Sequence, residues 1–323
     1  MTPFEYVTPR SLRELPELLV DGRAVVLAGG TDLLDRLKER LDRPERVVNL
    51  KGLRELQGID ASAGLDIGAL ARIAEVAADR RVQAGYRVLA EAAASIATPQ
   101  LRNMGTLGGN LCQRPRCWYF RDAQYSCLKK GGHTCFAADG RNRYHAVFGR
   151  GPCYIVHPSD AAPALVALGA SLDIEGSRGP RQVPVADFFR LPHQSLWQEN
   201  MLETGEVVSR IRVPEPARGT RSTYLKFREK QSLDFAVSSV AAVLQMEGGQ
   251  VRQARVVLGG VAPVPWRAER AEAALAGRAL TPEVMQAAAE AAVAGAEPLS
   301  ENAYKIELTR NLVRRALQSL ATA

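Results

Sequence analysis

A β-branched run, Val25 to Leu27, leads straight into the glycine pair of LAGGTDLL (27–34), and a helical pattern over Asp32 to Leu41 is followed by a second strand-like run at Val47 to Leu50. A strand that feeds a tight glycine turn and then a helix leaves few folds open, because the glycines turn the backbone without a Cβ and the helix must pack back over the strand. This βαβ rhythm predicts a small α/β lobe. The pattern continues through a strand at Leu65 to Leu70, a helix near Ile73 to Ala78 and a helix at Tyr86 to Ile96 that closes before Pro99. A second glycine-rich turn, GTLGGN, follows at 105–110. Such turns expose unblocked backbone N–H groups, and beside a helix N-terminus they make an anion-binding concavity suited to a pyrophosphate. Neither turn has the GxGxxG spacing of the dinucleotide fingerprint, so a nicotinamide Rossmann domain is unsupported.

Further along, Ser159 to Leu168 reads as a helix and Ser171 to Ile174 as a strand, then a polar, weakly patterned stretch runs to Glu206–Pro214. PARGTRS, around 217–221, reads as a linker. Beyond it come strands at Tyr224 to Phe227, Ala236 to Gln245 and Val251 to Leu258, then three helical runs, the last from Glu301 to Leu320. Strands grouped ahead of helices predict a separate α+β domain. No stretch reaches the roughly 18 apolar residues of a membrane span, and the N-terminus lacks the basic start and apolar run of an export signal.

The formal net charge of +7 is concentrated in one place. Between Cys112 and Arg150 stand eight basic residues against Asp122 and Asp139, with four of the five cysteines and seven aromatics, and Cys153 lies just beyond. A disulfide framework belongs mainly to small secreted chains. Zinc sites usually contain close CxxC pairs, and none is present. Four thiolates from Cys117, Cys127, Cys135 and Cys153 on a long irregular loop can wrap a 4Fe-4S cluster, whose negative charge the basic excess suits. Four ordinary buried thiols beside a solvated basic loop are the alternative, as is a zinc-bearing nucleic-acid-binding segment. Cys112 reads as a small buried residue, and His133, His145, His157 and His193 form no HxxxH pair and read as structural.

The two turns, HPSDAAPALVALGA at 157–170 and KFREKQSLDFAVSSVA at 226–241 together resemble the flavoprotein subunit of the xanthine dehydrogenase and carbon monoxide dehydrogenase family of molybdenum hydroxylases, over nearly the whole chain. The resemblance implies an α+β fold: a two-lobed FAD-binding domain of the vanillyl-alcohol-oxidase (PCMH) type over 1–217, with a small lobe to about 55 and an insertion at about 112–153, then a C-terminal domain over 218–323. It also implies that Leu27, Ala28, Gly29, Gly30, Thr31, Asp32, Leu33 and Leu34, with Thr106, Gly108, Gly109 and Asn110, hold the FAD pyrophosphate and ribityl portion. Asp160 would accept hydrogen bonds from the cofactor, Lys226 would lie near the isoalloxazine edge, and Val208 would cover the adenine side.

The insertion, with RCWYFRD, CLKKGGHTC, NRYHAVFG and GPCYIVHPSD, is similar to that of the iron-sulfur-containing branch, which includes periplasmic aldehyde oxidoreductases and 4-hydroxybenzoyl-CoA reductase. The reductase has its fourth cysteine where this chain has Tyr144, whereas Cys153 matches the aldehyde oxidoreductase type. By this resemblance the chain passes electrons from the 2Fe-2S centres of a small subunit to FAD and on to an acceptor such as ferredoxin, while a molybdopterin-binding large subunit oxidises substrate. A reductase-type beta subunit and a stand-alone flavin oxidase are the alternatives, though no active-site base or covering cap for an oxidase stands out. Nucleic-acid binding and membrane insertion are not expected. The compartment is the cytoplasm, or the periplasm by co-export with a signal-bearing partner.

Overall fold

The computed structural model describes residues 1–322. Strands β1 (Glu5–Val7), β2 (Ala24–Leu27) and β3 (Arg46–Asn49) form a parallel sheet in the order β1-β3-β2. The crossover from β2 to β3 carries the helix Leu33–Lys38, shorter than the span predicted from the sequence because Glu39 ends it and Arg40 turns left-handed at φ 57°. Leu27, Leu33, Leu37 and Val47 fill the space between this helix and the sheet.

A five-stranded antiparallel sheet forms the second lobe, in the order β4 (Ile59–Asp60), β5 (Leu65–Gly68), β8 (Val207–Val213), β6 (Ser171–Glu175) and β7 (Arg181–Pro184). β7 and the short helix Val185–Phe188 lie in the stretch read as unpatterned. β7 buries only Val183, so it has too little alternation to announce itself, yet Phe188 behind it is fully enclosed. The helix Ala161–Ala167 is buried on every side, as its unbroken apolar sequence requires. One contiguous core joins it to Ile67 and Ile211 of this sheet and to Ala241 and Val257 of the next.

That last sheet is antiparallel, in the order β12 (Trp266–Arg267), β11 (Gln250–Gly259), β10 (Ser238–Glu247) and β9 (Thr220–Phe227), and is packed by the helices Glu269–Leu275, Pro282–Ala292 and Tyr304–Ala321. The chain is thus two α/β lobes followed by an antiparallel sheet with helices, the α+β architecture the sequence predicts. Among the described residues no helix is long and apolar enough to cross a membrane.

Lys305, fully buried at the start of the last helix, fastens that helix to the insertion: its Nζ donates to the carbonyls of Tyr144 (3.0 Å), His145 (3.0 Å) and Gly260 (2.6 Å). Burial pushes its amine down to about 7. A lysine whose folded pKa lies below its unfolded value binds fewer protons when folded, so stability rises with pH between about 7 and the normal lysine range. Urea unfolding of Lys305→Met is expected to lose that rise above pH 7; a slope identical to that of the wild type would refute the assignment.

Candidate functional site

A cleft of about 690 Å³ opens between the small lobe, the second lobe and β9. Ala28, Gly29, Gly30, Thr31, Asp32, Leu33 and Leu34 line it from one side, Thr106, Gly108, Gly109 and Asn110 from another, and Asp160, Val208 and Lys226 complete the wall. Leu27 is not among the lining residues; it is buried with Leu33, Leu37 and Val47 in the small-lobe core. The lining also includes Ile96, Gln113, Arg116, Leu233 and Phe235, which the sequence reading had not singled out.

The glycines of the first turn are required by contact between the two turns. A Cβ on Gly29 would lie 2.3 Å from the Met104 carbonyl oxygen and 2.8 Å from the Gly105 Cα, so the turns meet backbone to backbone. Gly30 has φ +78°, a conformation that side chains resist. The N–H groups of Gly29, Gly30, Thr31 and Asp32 donate to no group among the described residues and remain available to an anion.

The second turn departs from expectation. Residues Leu107–Leu111 form a short helix capped by the Thr106 hydroxyl, and their amides are already engaged. Leu107 donates to Ala71 O (2.9 Å), Gly108 to Ala69 O (2.9 Å), Gly109 to Thr106 Oγ1 (3.2 Å) and Asn110 to Thr106 O (2.9 Å). Bare amides therefore come from one turn, while the other presents a small, close surface.

Asp160 and Lys226 face the cleft as a buried pair, 2.7 Å apart. Asp160 also accepts from Tyr224 Oη (2.6 Å), and Lys226 donates to Ser95 O (3.2 Å). Each is thus held by protein partners, and the pair enters the wall as a nearly neutral unit rather than as two independent charges.

Asp32 has a part that local sequence does not disclose. Its carboxylate meets Arg36 (2.9 Å), Arg116 (2.9 Å) and Arg121 (2.6 Å), and accepts from the backbone N–H of Arg114 (3.1 Å). Burial works to raise its pKa, but the guanidiniums of Arg116, Arg121 and Arg36 outweigh it and hold the carboxyl below its ordinary value. The glycine turn is thereby tied to the start of the cysteine insertion. Replacing Asp32 by Ala strands two part-buried guanidiniums, a cost of about 3–5 kcal/mol by analogy with broken buried pairs. Proteolytic nicking within 112–150 and loss of bound FAD are expected together; loss of one without the other would show that the two regions are not joined through this carboxylate.

The basic excess of the insertion is likewise spent internally. Six of its eight basic residues pair with carboxylates outside it: Arg116 and Arg121 with Asp32, Arg114 and Lys129 with Glu199, Arg143 with Glu229, and Arg150 with Glu297. Most of the surplus is therefore paired within the chain, although Lys129 still acts on Cys153.

Four thiols gather inside that frame. Cys153 and Cys135 act on each other, which lowers the Cys135 thiol and raises that of Cys153. Cys117 lies close enough to Cys135 and Cys127 to feel their charge. Neighbouring backbone amides work to lower three of these thiols: Phe120 and Tyr119 act on Cys117, Tyr154, Ala137 and Ala138 on Cys135, and Ile155 on Cys153. Cys112 differs, since burial alone acts on it and pushes it up to about 12. His145 Nε2 stands 3.2 Å from Cys117 Sγ. Among the described residues no three His, Cys, Asp or Glu side chains converge tightly enough to hold a single metal ion.

Residues 2–216 match the family described as FAD binding domain in molybdopterin dehydrogenase, and residues 222–320 match the CO dehydrogenase flavoprotein C-terminal domain. The chain belongs to the FAD-binding subunits of the molybdenum hydroxylase family. Its two lobes and C-terminal sheet are the PCMH-type flavoprotein fold and its companion domain. Within this family the chain is 38% identical over 299 residues, 91% of its length and 90% of the relative's, to the aldehyde oxidoreductase FAD-binding subunit PaoB of Escherichia coli (strain K12). It is 34% identical over 324 residues, 98% and 96% of the two chains, to the carbon monoxide dehydrogenase medium chain of Hydrogenophaga pseudoflava. The solved carbon monoxide dehydrogenase from Hydrogenophaga pseudoflava lacking the Mo-pyranopterin moiety superposes with a TM-score of 0.79 at 34% identity, covering 100% of this chain and 99% of that one.

Proposed function

We propose that this flavoprotein holds FAD in the interlobe cleft and a 4Fe-4S cluster in the insertion, as the medium subunit of a complex with a molybdopterin-binding large subunit and a 2Fe-2S small subunit. The observation that carries the flavin placement is the set of free amides at Gly29 to Asp32 opening on a cleft whose volume is ordinary for a cofactor site. Those amides bind the diphosphate, Gly108 and Gly109 let it approach closely, and Val208 covers the adenine side. The Asp160–Lys226 pair orients polar groups of the cofactor while adding little net charge. Bound FAD supplies one- and two-electron exchange, which is what linking iron-sulfur centres to a terminal acceptor demands.

Cys117, Cys127, Cys135 and Cys153 suit the cluster because neighbouring backbone amides act on three of them in the direction that favours a thiolate. Cys112 lacks those donors and is left out. Identity with the aldehyde oxidoreductase subunit favours an aldehyde as the complex's substrate, oxidised on the large subunit. A ferredoxin-like protein as final acceptor, and residence in the cytoplasm or in the periplasm through a partner's signal, complete the reading. The test is a purified complex assayed for FAD, iron, acid-labile sulfide and molybdenum per chain, with the co-purifying subunits identified. A folded complex that takes up no FAD would overturn the flavin placement, and one with iron only in the small subunit would overturn the cluster.

A further inference from the structure

We propose that His145 is a positioning residue for the iron-sulfur cluster: its Nε2–H donates to the Cys117 sulfur and makes the cluster easier to reduce, an inference that rests on the cluster reading above. The ring is buried, with Nε2 3.2 Å from Cys117 Sγ, and Nδ1 is enclosed with no partner among the described residues. A neutral imidazole has one N–H to place. At Nδ1 it would be an unpaired buried donor, a loss of about 1–3 kcal/mol, whereas at Nε2 it meets the sulfur.

The ring is also fixed. The His145 N–H donates to Asn142 O (2.9 Å), and its carbonyl accepts from Lys305 Nζ (3.0 Å) and Asn302 Nδ2 (3.1 Å). Trp118 packs against the imidazole edge to face, with ring centroids 5.3 Å apart, and Tyr119 lies 6.2 Å away. The imidazole is thereby held with Nε2 against this one sulfur. Donors to a cluster's sulfur favour the reduced, more negative state and raise the midpoint potential.

The experiment uses the purified complex carrying His145→Leu or His145→Gln, assayed for FAD, iron and labile sulfide and titrated by electron paramagnetic resonance. Both variants are expected to keep FAD and wild-type iron. The Leu variant should show a more negative 4Fe-4S midpoint, and the Gln variant, which retains an N–H, should lie nearer the wild type. Nitrogen-15 histidine labelling should give a hyperfine coupling to the cluster in the wild type that disappears in both variants. An unchanged midpoint in the Leu variant, or iron lost equally from both variants with FAD retained, would overturn the inference. Wild-type complex without a 4Fe-4S signal would end the cluster reading and this inference with it, a failure visible before any substitution is made.

Discussion

Valine at position 29 is expected to yield a complex without flavin absorption, its FAD falling from near-stoichiometric to undetectable. The added carbon would sit 2.3 Å from a carbonyl oxygen and 2.8 Å from an α-carbon, both backbone, so no side chain can swing aside to make room. The strain exceeds the roughly 1–3 kcal/mol of ordinary overpacking, and it is relieved only by parting the two turns that wall the cleft. Gly85→Ala provides the comparison: its new methyl meets nothing within 4 Å and lies in the helix Arg80–Gly85, so FAD and stability should be unaffected. Flavin absorbance and circular dichroism of both variants decide the matter. A yellow, stoichiometric Gly29→Val complex would show that the turns do not have to touch for the cofactor to be held.

Serine at Cys135 or at Cys153 should each remove nearly all iron from this subunit, while Cys112→Ser should remove none. The distinction rests on surroundings: Cys135 and Cys153 act on each other and on both of them backbone amides work in the direction of the thiolate, whereas Cys112 has only burial acting on it. Iron and labile sulfide per complex, corrected for the 2Fe-2S content of the small subunit, give the readout. Equal loss from all three variants would mean that the ligands are chosen wrongly, and no loss from any would mean that the insertion holds no iron.

The opening βαβ unit was legible because local alternation and a glycine pair dictate it, and β2, the turn and β3 form as predicted. In the last domain β10, β11 and the three helices were legible for the same reason, whereas β9 begins at Thr220, inside the stretch read as a linker, and the two-residue β12 had no pattern to read. Asp32 was readable only as part of a motif, since its partners Arg114, Arg116 and Arg121 lie more than 80 positions away and nothing local forecasts them. The same long-range pairing hid the fate of the insertion's positive charge. The GTLGGN segment shows a different limit. Glycine richness suggested open amides, but Thr106 capped a short helix and Ala69 and Ala71 accepted the remaining donors, a choice made by neighbours outside the motif. His145 could not be paired from spacing, because its contact with Cys117 crosses 28 positions of irregular loop.

The contacts of Asp32 bear on how the cysteine-bearing segment and the flavin cleft depend on each other. Without Arg116 and Arg121 this carboxylate would look directly across the cleft at an incoming diphosphate, like facing like, with Arg36 alone to offset it. Excising the cysteine-bearing segment would therefore leave an under-compensated carboxylate in the cleft wall and weaken its attraction for a diphosphate.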